Sequence, residues 1–236
     1  MTITTIGIDL AKNVFQIHGV DGSGKTALKK QLRRNQVLTY FIKLTTCTIG
    51  IEACGGAHYW ARKLTAMGHT VKLMAPQFVK PYVKANKTDA ADAEAICEAV
   101  TRPNMRFVAI KNEEQQAILS LHRARQGFVK ARTAQANQIR GLLGEYGITI
   151  PQGIKYVMKD MQKLLDSPEH DMPGAFTDLL KRLHAHLLVL EEQISDLETQ
   201  INNWHSNNEY SQRLSKIPGI GPLTATALVA SIADAN

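Results

Sequence analysis

Eight apolar residues, Leu180, Leu183, Leu187, Leu190, Ile194, Leu197, Ile201 and Trp204, fall alternately three and four positions apart without a break. That period keeps one apolar line on a single side of a helix and is the signature of a coiled-coil seam. A helix of this length cannot bury the seam alone, so it needs another helix. One partner is the stretch 112–146, which holds no proline and few β-branched residues and reads as a second long helix with a small-residue face at Ala117, Leu121, Ala124, Phe128 and Ala131. An internal antiparallel hairpin between the two satisfies the seam, and so does a dimer of identical chains. Between them, residues 147–177 hold Pro151, Pro168 and Pro173 and read as a loop with one short helix.

The first hundred residues have a different texture. Ile3–Leu10, Val14–Val20 and Thr26–Leu32 alternate as strands, with Asp21-Gly22-Ser23-Gly24 as a strong turn between the last two. A helix starting near Asn35, a β-rich run over Cys47–Ile51, a helix over His58–Met67 ending at Gly68, a short strand over Val71–Met74 and an alanine-rich helix over Thr88–Val100 follow. Strands first, then strand and helix in alternation, predict an α/β layered domain ending near residue 108.

Net charge is +7 and the pI is near 9.3, which favours a polyanionic partner, nucleic acid first. Arg123 and Lys130 are one heptad apart, as are Arg125 and Arg132, with Arg140 beyond; such side chains along a helix suit a phosphate backbone. No apolar run approaches the roughly 20 residues that span a bilayer. Three cysteines without a CxxC pair fit a reduced, cytoplasmic setting.

Four carboxylates carry the candidate chemistry. Asp9 and Glu52 each end a β-rich run, where neighbouring strands of one sheet bring their tips together. Asp89 and Asp92 stand three apart at a helix start and share a face. Clustered carboxylates repel one another unless a cation lies between them, and hard ions such as Mg²⁺ or Mn²⁺ take oxygen ligands of this kind. Taken singly, each has an ordinary explanation: a strand end, or an acid stabilising a helix N-terminus. A competing pattern lies at Gly19-Val20-Asp21-Gly22-Ser23-Gly24-Lys25-Thr26, which satisfies G-x-x-x-x-G-K-[ST] in full. A phosphate loop must open a helix; the strand pattern predicts a hairpin turn there instead.

Three blocks, Ile6-Gly7-Ile8-Asp9-Leu10-Ala11-Lys12, Gly50-Ile51-Glu52-Ala53-Cys54-Gly55 and Lys87-Thr88-Asp89-Ala90-Ala91-Asp92-Ala93, together resemble the insertion-sequence 110 family of DEDD transposases. A fourth, Leu214-Ser215-Lys216-Ile217-Pro218-Gly219-Ile220-Gly221-Pro222-Leu223-Thr224-Ala225, resembles the start of that family's second domain. It reads as helix, glycine hairpin, helix, in which Gly219 and Gly221 expose backbone amides to a phosphate.

The resemblance implies a RuvC-like RNase H fold over residues 1–108, a helical coiled-coil segment over 109–208 and an incomplete helix-hairpin-helix-like domain over 209–236. It implies DNA transposition by a recombinase in which Asp9, Glu52, Asp89 and Asp92 bind Mg²⁺ or Mn²⁺. It further implies a structured guide RNA, DNA as substrate and a homo-oligomer, dimer or dimer of dimers. The family's nucleophilic serine belongs to a later segment, so the chain is expected to be a C-terminally truncated member, and neither Ser215 nor Ser231 is nominated. The rival readings are a RuvC-like structure-specific nuclease and a non-catalytic, nucleic-acid-binding and dimerising fragment.

Overall fold

A computed structural model of the chain describes residues 2–83, 88–166 and 172–232. Lys87 of the third block, Pro168 and Asn236 therefore lie outside the described residues. The chain forms two compact units, one comprising the residues up to Asn112 and the other Glu113–Ser231.

The first unit is α/β. Strands β1 (Ile3–Leu10), β2 (Val14–Asp21) and β3 (Thr26–Arg33) form an antiparallel meander. A 3₁₀ turn and the short helix α1 (Val37–Phe41) lead to β4 (Thr48–Glu52), helix α2 (Ala57–Ala66), β5 (Thr70–Met74), α3 (Pro76–Val79), α4 (Asp89–Ala99) and β6 (Phe107–Val108). The six strands make one mixed sheet in the order β3-β2-β1-β4-β5-β6, with β1, β4 and β5 parallel.

Alternate residues of a strand face opposite sides, and here both sides are covered. Ile6, Ile8, Phe15, Ile17, Ile49 and Ile51 pack with Phe41, Trp60 and Leu64 on the α1/α2 side. Met74 packs with Ala95, Ile96, Ala99 and Val100 of α4 on the other. Two-sided burial explains why the centres of β1 and β4, Ile6-Gly7-Ile8 and Ile49-Gly50-Ile51, carry no polar side chain. Buried His69 ties the edge of the first core together: its Nδ1 accepts the Cys47 N–H at 3.3 Å, so Nε2 carries the proton and donates to the Phe41 carbonyl at 3.2 Å.

The phosphate-loop pattern is a hairpin turn. Asp21 Oδ1 accepts the Ser23 and Lys25 amides at 2.9 and 3.0 Å, Gly24 takes φ +79°, and β3 rather than a helix follows. Those amides serve an internal carboxylate, which removes the nucleotide reading.

The second unit is helical: α5 (Glu113–Gly144), α6 (Ile154–Asp166), α7 (Gly174–Ser206), α8 (Glu209–Leu214) and α9 (Pro222–Ser231). Helices α5 and α7 run antiparallel, since Glu114, Arg125, Arg132 and Gln135 meet Trp204, Glu198, Glu191 and His186 in reverse order. Leu180, Leu187, Leu190, Ile194 and Ile201 are buried and Leu183, Leu197 and Trp204 half-buried, so the chain covers the α7 seam itself.

The expected α5 face is corrected in part: Leu121 and Phe128 are half-buried, but Ala117, Ala124 and Ala131 are exposed, and Ile118, half-buried Arg125 and Arg132, and Ala136, Ile139 and Leu143 turn inward. Alanine buries too little area to hold the interface when the long stems of Arg125 and Arg132 can cover it and reach acids across it. The 147–177 stretch contains a 13-residue helix, α6, whose Val157, Met161 and Leu164 join the core with Ile139, Leu143 and Leu187. Their three- and four-residue spacing was present among the prolines that masked it.

Candidate metal centre

The parallel pairing of β1 with β4 sets Ile8 opposite Ile51. The next residues, Asp9 and Glu52, therefore reach the same end of the sheet. Helix α4 brings the other pair. Thr88 caps it, its Oγ1 accepting the Ala91 N–H at 3.3 Å, and Asp89 and Asp92 stand in the first turn. Small residues in the strands set how near the helix comes. A β-carbon on Gly50 would lie 2.8 Å from the Val100 side chain, and Gly7 faces the α4 backbone itself. A glycine inside a strand pattern is the available sequence signal for such an approach.

Asp9, Asp89 and Asp92 each offer a carboxylate oxygen, and the three oxygens lie within 4.8 Å of one another. Asp9 and Asp92 are half-buried and Asp89 is exposed. The Asp9 carboxyl is pushed up to about 6, first by burial and then by the charges of Asp92, Asp89 and Glu52. Glu52 thus acts on Asp9 electrostatically while standing outside the tight trio. Exposed Cys54 follows Glu52, and its thiol is raised by burial and by the same two acids, Glu52 and Asp9. A set of hard oxygen donors at this spacing, with one member resisting ionisation, fits a divalent cation bound to Asp9, Asp89 and Asp92.

The basic residues divide. Arg123 and Lys130 are exposed on α5. Arg125 and Arg132 turn toward α7, where Arg125 Nε donates to Glu198 at 2.7 Å and Arg132 to Glu191 at 2.6 Å. Arg140 Nε donates to the Ile150 carbonyl at 3.1 Å and fastens the turn after α5. These three guanidinium groups are engaged inside the unit, which spacing along one helix does not reveal. Gly219 and Gly221 are exposed in the turn between α8 and α9; Gly219 takes φ +87°, and the Gly221 carbonyl accepts the Ala225 N–H at 2.9 Å at the start of α9. Among the described residues, no helix is long and apolar enough to cross a membrane.

The family model of the DEDD transposases of IS110 elements, described as transposase, matches residues 6–148. The chain is 48% identical over its whole length to a probable family 20 transposase of Pseudomonas aeruginosa, covering 70% of that protein. It is 44% identical to the transposase for insertion sequence element IS1328 of Yersinia enterocolitica, with 98% of this chain and 69% of the relative aligned. To the transposase for insertion sequence element IS1111A of Coxiella burnetii it is 41% identical, over 98% of this chain and 64% of the relative.

Proposed function

This chain belongs to the DEDD transposase family of IS110 insertion elements, and on that premise we propose that its acidic centre binds Mg²⁺ or Mn²⁺ and serves DNA strand cleavage and rejoining when such an element moves. The observation that carries the reading is the convergence of Asp9, Asp89 and Asp92 within 4.8 Å. Asp9, Asp89 and Asp92 would hold the ion, which would supply charge neutralisation at a scissile phosphate. The protein's part is positional. The end of β1 presents Asp9, the first turn of α4 presents Asp89 and Asp92, and Glu52 at the neighbouring strand end adds a fourth negative charge that favours the loaded over the empty centre.

The fold supports a RuvC-like RNase H assignment for the first unit: a mixed sheet, three parallel central strands and acids at their tips. In the second unit, exposed Arg123, Lys130 and the Gly219–Gly221 turn are the contacts we assign to nucleic acid, including a structured guide RNA recognised through backbone and shape. A homo-oligomer is part of the reading. Because most of the α7 seam is buried within the chain, we assign self-association to another surface.

Calorimetric titration of Mn²⁺ into the wild type and Asp9→Ala tests the centre, with a saturable heat expected only for the wild type. Identical titrations would sink it.

A further inference from the structure

We propose that a second site in the first unit, a basic and aromatic pocket lined by Asn13, Arg33, Arg34, Tyr59 and Trp60, holds one nucleotide of a single strand. The inference rests on the phosphodiester chemistry assigned above and names how the strand is gripped beside it. The cavity is about 560 Å³, within the range of small-ligand sites and ample for a nucleotide.

Its place in the fold matters. Asp9 pairs with Gln16 and Val14 with Arg33, so the tight turn after β1 and the end of β3 lie at the sheet end that carries Asp9. The Arg34 N–H donates to the Asn13 carbonyl at 2.9 Å and fixes that turn. Tyr59 and Trp60 stand in the first turn of α2, which follows Glu52 after a four-residue turn. The pocket therefore opens on the α1/α2 side of the same sheet end whose other side carries the acids.

Its chemistry suits a nucleotide. The Arg34 guanidinium lies 5.2 Å from the centre of the Trp60 ring, and the Lys63 ammonium 5.8 Å from that of Tyr59. Tyr59 meets Trp60 edge-on at 5.2 Å, and Trp60 meets buried Phe15 the same way at 5.1 Å, so the platform is braced from the core. Tyr59 is 38% exposed and presents a ring to solvent. Among the described residues, no carboxylate lines the pocket. Cations clustered around aromatic faces, without an acid to neutralise them, are the arrangement that binds a phosphate and stacks its base. A lone phosphate would need no exposed ring, and an apolar ligand would not need two arginines.

The test is fluorescence anisotropy of a short labelled single strand, in DNA and RNA versions, with the full chain in EDTA. Arg33→Ala/Arg34→Ala should weaken binding more than tenfold and lower the salt slope by about 0.7, the share of one phosphate contact. Tyr59→Ser should weaken it about 5- to 100-fold, and this exposed substitution decides the matter if the double variant does not fold. The polymer that loses more affinity is the one that occupies the pocket. Unchanged affinity in both variants overturns the site, as does a loss confined to the arginine variant, which would mean diffuse charge. Mn²⁺ titration of the same variants should keep the wild-type heat, so failure of the pocket and failure of the metal centre are read separately.

Discussion

A β-carbon on Gly7 would stand 2.2 Å from the carbonyl oxygen of Ala93. Backbone meets backbone at that point, and nothing larger than hydrogen fits between β1 and α4. Asp9 lies two residues along the same strand and Asp92 directly precedes Ala93. The contact therefore sets the spacing of the acidic centre.

Gly7→Ala should destabilise the protein by about 2–3 kcal/mol, the upper part of the overpacking range, because neither neighbour is a side chain that can rotate away. It should also weaken Mn²⁺ binding more than tenfold. Gly50→Ala should be milder, since its nearest neighbour is the Val100 side chain. Urea melts and calorimetry on both variants check the ranking.

Asp9 gives the centre a defined pH response. Its folded-state carboxyl is raised from 3.8 to about 6, so the metal-free folded chain holds its proton more tightly than the unfolded chain. Its contribution to stability is greatest below 3.8 and is lost as pH rises to about 6. Asp9→Asn removes that loss and should stabilise the metal-free protein at neutral pH by about 1 kcal/mol. The full shift would carry roughly 3 kcal/mol, but a half-exposed carboxylate is screened. Metal affinity in the wild type should fall about tenfold per unit below pH 6 as protons compete. Melts and titrations at several pH values check both.

Arginines on one helix should behave differently. Arg132→Ala removes a partner of Glu191 inside the second unit and should cost about 1–2 kcal/mol, because Glu191 can still reach water. Arg123→Ala should leave stability within about 0.5 kcal/mol and lower the salt slope of nucleic-acid binding by about 0.7. Denaturant melts and binding isotherms on the same preparations separate the two roles.

His184 is buried in the α7 line between Leu180 and Leu187, and its Nε2 has no hydrogen-bond partner among the described residues. Burial holds its pKa below 6.5, opposed by the nearby charge of Asp166. A histidine depressed in this way contributes stability above 6.5 that is lost as pH falls toward the lowered value. His184→Leu should raise stability by about 1 kcal/mol at neutral pH and flatten the loss that sets in below pH 6.5, as thermal melts will show.

Local patterns account for much of the architecture. Alternation reads β1 as Ile3–Leu10, the bounds it has in the structure, and the turn at Asp21–Gly24 separates β2 from β3 without help from distant residues. The two-residue β6 is invisible locally, because Phe107 and Val108 become a strand only by pairing with Met74 and Leu73. The acids themselves stand out by position, Asp89 and Asp92 by spacing and Asp9 by ending an apolar run. What brings them together, the Gly7–Ala93 contact and the β1–β4 register, joins residues far apart in the chain. The inward turn of Arg125 and Arg132 is hidden for the same reason: their partners, Glu198 and Glu191, are on another helix. Arg33, Arg34 and Tyr59 form a pocket only after the strands have paired.

The antiparallel α5–α7 pair has a metric consequence. A 32-residue helix is about 48 Å long at 1.5 Å per residue. Seated along its whole length against α7, it cannot bend freely, so the tip that carries α6 is held at a fixed reach from the base where α8 and α9 sit. Inserting or deleting a heptad in both helices together would keep their pairing and change the distance between the two ends of the unit by about 10 Å.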